Sequence, residues 1–167
     1  MTNERYKLEK SYWTESDFND MGWHDSRIHG LSFDSNNENF KSDLLFDIDY
    51  IFKWVNPKDG EKYFTFWISP CTLVFHDVLR LKMDLDSEDY LSTELEISEI
   101  KLVQKETDSK HKLFNAEIET NFGNIVFETS GFEQFVRVSP KHIQGQWFDL
   151  KERGGTSFDK IKCQDEI

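Results

Sequence analysis

The stretch FKSDLLFDIDYIFKWV, residues 40 to 55, alternates apolar and other side chains with a period of two. Its even positions form one unbroken apolar face, made of Leu44, Phe46, Ile48, Tyr50, Phe52 and Trp54. Because successive side chains of a strand point to opposite faces of a sheet, this pattern predicts a long strand with its core on one side. The odd positions alternate less cleanly and predict a partly solvated second face. A strand of this length is also expected to bend or bulge midway.

Strand-like runs also occupy most of the chain after residue 28, with turn residues between them. Pro57 and Asp59-Gly60 predict a turn in NPKDGEK, Phe122-Gly123-Asn124 predicts a tight hairpin, and NNEN at residues 36 to 39 and DSEDY at 86 to 90 predict two more turns. Pro70 is expected to break a strand, because proline lacks the N–H that a ladder needs. The runs are LSFDS, YFTFWI, CTLVFHDVLRLKMDLD, ELEISEIKLVQKE, KLFNAEIETN and NIVFETSGFEQFVRVSP.

About seven strands with one weak helical segment, TESDFNDMGW, predict a mainly β protein. We expect a single-domain antiparallel β-sandwich or a partly open barrel with one short N-terminal helix. A chain of 167 residues fits one β-rich domain over residues 1–167, and its polar ends predict flexibility at 1–12 and 154–167.

The chain is acidic, with a formal net charge of −12 at pH 7. This charge argues against binding to nucleic acid or to an anionic membrane surface, since both are recognised through basic patches. It favours a basic protein partner, although acidity also serves solubility alone.

No catalytic residue, metal site or cofactor is predicted. Cys71 and Cys163 are expected to be free thiols, and the chain contains no Cys-x-x-Cys, Gly-x-Ser-x-Gly or phosphate-binding glycine loop. The N-terminus has no signal-peptide pattern, and no apolar run approaches the roughly 18 residues of a membrane span. We therefore expect a soluble cytoplasmic protein.

The segment MGWHDSRIHG places Trp23, His24, Asp25 and His29 close together in sequence. Imidazole and carboxylate groups suit a metal, but His24 and His29 differ in parity and converge only if the chain turns sharply. The favoured interpretation is structural: Asp25 accepts backbone N–H bonds in a turn, and Trp23 covers the end of the core with its indole N–H on a polar partner.

Asp47 and Asp49 stand two residues apart on one face of the long strand. Two carboxyl groups at this spacing share a surface, where their pKa values can separate as in acid–base catalysis. The favoured interpretation places both on the outward, solvated face of the sheet.

The segments WHDSRIHGLSF, LLFDIDYIFKW, SPCTLVFHDVLRLKMDLD and FNAEIETNFGNIVFETSGFEQ together resemble a set of small uncharacterised bacterial β-rich proteins with an N-terminal Trp-His-Asp motif. Those proteins are loosely similar to the immunity proteins of polymorphic toxin systems. The resemblance spans roughly residues 20 to 138, and only Trp23, His24 and Asp25 match its motif residue by residue. It implies an immunity-type function but no catalytic mechanism.

Three functions follow as expectations. The first is a protein-binding module of the immunity-inhibitor type that meets a basic toxin with an acidic, aromatic-rich face. The alternative is a small-molecule or metal-dependent enzyme that uses the His24-Asp25 region, with Asp47 or Asp49 nearby. A weaker alternative is a carrier of a hydrophobic ligand.

Overall fold

The computed structural model describes residues 5–36, 41–88 and 94–164. A 3-10 helix over Glu15–Asp20 follows the first strand. The ten strands in chain order are β1 (Tyr12–Thr14), β2 (Ser26–Asn36), β3 (Lys41–Val55), β4 (Thr65–His76), β5 (Leu79–Leu85), β6 (Glu96–Gln104), β7 (Phe114–Thr120), β8 (Gly123–Thr129), β9 (Gly131–Val136) and β10 (Lys141–Ile143).

All ten strands of the described residues belong to one antiparallel sheet that is not closed into a barrel. Their order is β1-β9-β4-β3-β2-β6-β7-β8-β5, and β10 pairs with β4 beyond the end of β9. The prediction of a mainly β, antiparallel fold with one short N-terminal helix is confirmed.

The sheet folds over where the β4–β9 strand pair bends into the β5–β8 pair, and this bend brings its two halves face to face. β4 pairs with β9 up to the pair His76 and Gly131, and the ladder resumes between β5 and β8 at Leu79 and Glu128. The backbone bends at Asp77, between β4 and β5, and at Ser130, between β8 and β9. The rings of Phe75 and Phe127 consequently meet across the interior with centroids 4.8 Å apart. One continuous core joins residues of β3 and β4 to residues of β6, β7 and β8.

The long strand predicted from the period of two is β3, and its predicted bulge lies between Ile51 and Lys53. Leu44, Phe46 and Ile48 are fully buried in the core, as expected. The prediction is wrong for Trp54, because a one-residue bulge reverses which face the following side chains occupy. Trp54 packs instead against Phe66, which belongs to an apolar cluster on the outer face of the sheet.

Pro70 does not end a strand, contrary to the expectation from sequence. β4 continues through it, and Pro70 pairs with Asp49 of β3. On its other side β4 changes partner at this point, from β9 at Cys71 to β10 at Ile68. The Pro70 carbonyl still accepts from the N–H of Arg137, so the ladder loses little where the proline lacks a donor.

The predicted tight hairpin joins β7 and β8 at Gly123, whose φ is +134°. A Cβ atom there would lie 2.0 Å from the carbonyl oxygen of Asp84 on β5, so only glycine fits. The predicted helical turn is also present, and its Asp17 carboxylate accepts from the N–H of Thr14 at 2.9 Å. Residues 37–39 of the predicted NNEN turn and residues 89 and 90 of the predicted DSEDY turn lie outside the described residues.

Residues 144–164, here called the C-terminal segment, have no strand or helix, and the part from Phe148 to Phe158 lies across the outer face of the sheet. Phe148 packs with Ile51 and Phe66, and Phe158 packs against a second outer cluster that contains Val74. The flexibility expected at 1–12 and 154–167 stays a prediction. In the described part of the chain, no helix is long and apolar enough to cross a membrane.

Candidate functional site

The Trp-His-Asp motif forms a turn that sends its three side chains in different directions. The N–H of Ser26 donates to the carbonyl of Trp23 at 2.9 Å, and Asp25 adopts a φ of +61°. An aspartate tolerates this left-handed conformation better than most residues. The motif therefore contributes one core residue, one surface residue and one residue that contacts the C-terminal segment.

Trp23 is buried in the main core among aromatic rings. It packs against Phe18 and Phe132, and its indole N–H donates to Oε1 of Gln134 at 2.8 Å. This agrees with the interpretation of Trp23 as a core residue whose N–H finds a polar partner. Gln134 itself is fully buried on β9.

His24 points outward, and its side chain is 69% exposed. Its Nδ1 lies 3.1 Å from the carbonyl oxygen of Ser98 on β6, and its Nε2 lies 3.4 Å from Asp25. The other carboxylate oxygen of Asp25 accepts from the side-chain amide of Gln146 at 2.9 Å. His29 lies elsewhere, with Nε2 2.8 Å from Asp49. The structure thus separates His24 from His29, with a turn at Asp25 and a strand irregularity at His29 between them.

Beside His24 lies a group of exposed aromatic rings, here called the Trp54 surface and defined by His24, Trp54 and Phe64. Trp54 is 41% exposed and Phe64 is 43% exposed, with ring centroids 5.8 Å apart. The His24 ring is nearly parallel to the indole, at 6.4 Å and 19°. Tyr63, next to Phe64 in the chain, is exposed as well. The bulge in β3 creates this surface by turning Trp54 away from the main core.

A group of carboxylates lies near the start of β6, where Glu96 pairs with Arg27 of β2. Burial raises the pKa of Glu96, and the negative charges of Asp25 and Glu94 raise it further. Arg27 and His24 act in the opposite direction on the same group. Asp25 and Glu94 are therefore close enough to Glu96 to act on its charge, and Arg27 and His24 offset part of that effect.

Asp47 and Asp49 are fully buried, so the expectation of a solvated face is wrong. Arg153 of the C-terminal segment binds Asp47 through two bonds of 2.6 and 2.7 Å and reaches Asp49 at 3.1 Å. Arg137 adds a bond of 2.6 Å to Asp47. Backbone N–H groups complete the network, from Phe148 to Asp49 at 2.8 Å and from Ser157 to Asp47 at 2.9 Å. The outer face is polar here, but the C-terminal segment covers it.

This network keeps the carboxylate of Asp47 ionised. Burial by itself would raise the pKa of Asp47, but hydrogen bonds from Arg153 and Arg137 outweigh burial and hold that pKa below its ordinary value. An ionised carboxylate held by two arginines and a backbone N–H has no capacity left for proton transfer. The arrangement fastens the C-terminal segment to β3.

Sequence reasoning missed the side chains that bind these two carboxylates, namely His29, Arg137 and Arg153. His29 reaches Asp49 because β2 has an irregularity between Ile28 and Gly30. Arg153 lies in a segment without periodicity, 106 residues from Asp47. Only the excess of acidic residues on an otherwise apolar strand signalled that the chain must supply partners for them.

Three further features of the described residues bear on the enzyme and carrier hypotheses. Among residues 5–36, 41–88 and 94–164, no group of three His, Cys, Asp or Glu side chains is arranged to hold a metal ion. Burial raises the pKa of the Cys71 thiol, which disfavours the reactive thiolate. A concavity of about 390 Å³ lies at the β6–β7 loop between Gln104 and Lys112, but its polar lining is unsuited to an apolar ligand.

Fold and surface together define a mainly β, antiparallel protein with an exposed aromatic surface beside His24. Comparisons with protein-family models, with curated proteins and with solved structures found no match to this chain. Its function must therefore be argued from the surface itself.

Proposed function

We propose that this chain is an acidic, cytoplasmic protein-binding module whose partner is a basic protein, and that it acts as an immunity-type inhibitor of a basic toxin. The observation that carries the proposal is the Trp54 surface, where Trp54 and Phe64 are exposed and in ring contact. Contiguous exposed apolar groups with a polar rim are typical of protein interaction sites.

The composition of the surface supports the same proposal. Large aromatic side chains contribute most of the binding energy in protein interfaces, while charges around them speed association and select the partner. The net charge of −12 makes a basic partner the favourable one. Inhibition of a toxin requires only that the module cover a site on that toxin, and no catalytic group of its own.

The test is affinity capture with the N-terminally tagged chain in lysate of its native host, against an unrelated protein of similar charge. A captured basic protein is then purified and titrated by calorimetry. We expect one-to-one binding that weakens as salt concentration rises, because charge steers the encounter. Failure to recover a basic protein specific to this chain would contradict the proposed function.

The immunity role has a separate test. The captured protein is expressed in a host cell with and without the chain. We expect arrested growth with the partner alone and restored growth when both are present. If the partner alone is harmless, the chain is a binding module of another kind.

A further inference from the structure

β5 is the last strand of the sheet, and one of its edges pairs with no described strand. We propose that this edge joins the same edge of a second copy of the chain, in an antiparallel β5–β5 pair that forms a two-fold symmetric dimer. The inference does not depend on the proposed function, because the two surfaces are separate. Val78, the residue before β5, donates its N–H to the carbonyl of Ser42 near the start of β3, whereas Trp54 lies near the end of β3.

The backbone of β5 shows which residues direct their N–H and C=O groups to the open edge. The N–H of Asp86 donates to a carbonyl of the β7–β8 turn at 2.8 Å, and the carbonyl oxygen of Asp84 lies against Gly123. The even-numbered residues at the end of β5 therefore face β8. Because these groups alternate in direction along a strand, those of Met83 and Leu85 point to the open edge, where an added strand would bind them.

The side chains at this edge are apolar on the core face and charged on the outer face. Met83 pairs with Ile125, which is fully buried, so the two share the core face. Met83 and Leu85 are nevertheless 39% and 41% exposed. On the outer face, Lys82 and Asp84 lie 3.9 Å apart and are both exposed. Many edge strands are protected by an inward-pointing charge, and this one has apolar side chains in that place.

The charges select one register for a β5–β5 pair. When Met83 lies opposite Met83 of the second copy, Lys82 faces Asp84 of that copy, and the two-fold axis repeats this ion pair. Both ion pairs fall at non-hydrogen-bonded positions, where facing side chains approach most closely. Moving the axis by one residue in either direction places Lys82 opposite Lys82 or Asp84 opposite Asp84. Like charges in that position are destabilising, so the register centred on Met83 is favoured.

The dimer is expected to be weak and closed. β5 has an irregularity between Leu79 and Lys82, and Arg80 within it has a φ of +53°, which limits the length of the pair. The net charge of −12 on each copy opposes association, although repulsion beyond about 10 Å is screened at 0.1 M salt. Pairing covers the open edge of both copies, so association stops at two.

Sedimentation velocity of the full chain measures the dimer, at protein concentrations from about 1 to about 500 µM. The variants are Lys82→Glu and Asp84→Lys, each alone and then mixed in equal amounts. Lys53→Glu is the matched control, because Lys53 is also an exposed lysine but lies on β3. Circular dichroism shows that each variant is folded.

We expect wild type and Lys53→Glu to pass from monomer to dimer as concentration rises. Lys82→Glu and Asp84→Lys should each weaken dimerisation by about tenfold, because both facing pairs change from attraction to repulsion. The equal mixture should regain the affinity of wild type, since every facing pair between the two variants joins opposite charges. Both variants remain strongly acidic, so general attraction between them does not explain the recovery.

Met83→Pro tests the backbone contact separately. Proline removes an N–H that points to the open edge and not to β8, so the ladder within the monomer is retained. We expect this variant to remain monomeric over the same concentrations. If it does not fold, the charge variants still decide the question.

A wild type that stays monomeric at every concentration would overturn the inference and leave the edge to a strand of another protein. Wild-type dimerisation of both Lys82→Glu and Asp84→Lys would place the contact elsewhere on the surface. A mixture that does not recover would rule out the register at Met83, and masses above the dimer would rule out a closed pair. None of these results concerns the capture of a basic protein, so the inference and the proposed function can fail separately.

Discussion

Arg153 lies fully buried against Asp47, with its two terminal nitrogens 2.6 and 2.7 Å from the two carboxylate oxygens. The pair joins the C-terminal segment to the outer face of β3. Between Phe148 and Phe158, which pack on separate apolar clusters, it is the polar part of the contact. Burying two charges is unfavourable unless each is fully hydrogen-bonded, and this network meets that condition.

Removing one partner of this pair should destabilise the protein strongly. We expect Arg153→Met to lower the free energy of unfolding by about 3–5 kcal/mol, because two buried carboxylates would lose their shared cation. Lys151→Met is the matched control, since Lys151 is exposed in the same segment, and it should change stability by less than about 0.5 kcal/mol. Urea unfolding followed by tryptophan fluorescence measures both. Equal stability of the two variants would contradict the role of Arg153.

The same pair predicts a dependence of stability on pH. The pKa of Asp47 is lower in the folded than in the unfolded protein, so its contribution is complete above the unfolded pKa of about 3.9 and is lost as pH falls through the folded pKa. Asp47→Asn lacks this titration. The difference in unfolding free energy between wild type and Asp47→Asn should therefore be constant from pH 7 to 5 and shrink below about pH 4.

Urea unfolding at a series of pH values measures that difference, and carbon NMR of the aspartate carboxyl groups gives an independent reading. A difference that grows as pH falls would mean that burial prevails over the two arginines and that the pKa of Asp47 is raised.

The hydrogen bond between Trp23 and Gln134 predicts a second stability effect. Trp23→Phe keeps a ring in the core but removes the donor to Oε1 of Gln134, whose Nε2 already lacks a partner among the described residues. We expect a loss of about 1–3 kcal/mol, the usual effect of leaving a buried polar group unpaired. Adding Gln134→Met should recover part of it. Calorimetry that finds Trp23→Phe as stable as wild type would show that the bond contributes nothing.

Much of the fold could be predicted from local pattern, because the alternation in β3 and the positive φ of the glycine at the β7–β8 hairpin are local features. The features that could not be predicted from the sequence depend on residues that are distant in the chain. Pro70 is tolerated because it lies at the point on β4 where the neighbouring strand changes from β9 to β10. This arrangement is a property of the sheet order. Asp47 is buried because Arg153 reaches it from a segment with no periodicity. The position of Trp54 depends on a bulge whose existence was predicted but whose exact residue was not.

The turn at Trp23, His24 and Asp25 predicts that neighbouring residues of one motif differ sharply in their importance for stability. His24 is exposed, so His24→Ala should shift the melting temperature by no more than about 2 °C. Asp25 has a φ of +61°, which a β-branched residue adopts only with strain. Asp25→Val should therefore lower stability by about 1–3 kcal/mol.

Asp25→Asn is the matched control, because asparagine tolerates the left-handed conformation and keeps an oxygen for Gln146. Differential scanning calorimetry should rank His24→Ala and Asp25→Asn close to wild type and Asp25→Val well below both. If His24→Ala melts as early as Asp25→Val, the contact between His24 and the carbonyl of Ser98 supports the fold, and His24 is not a freely available part of the Trp54 surface. If the ranking holds, Asp25 maintains the turn and His24 remains available to a partner.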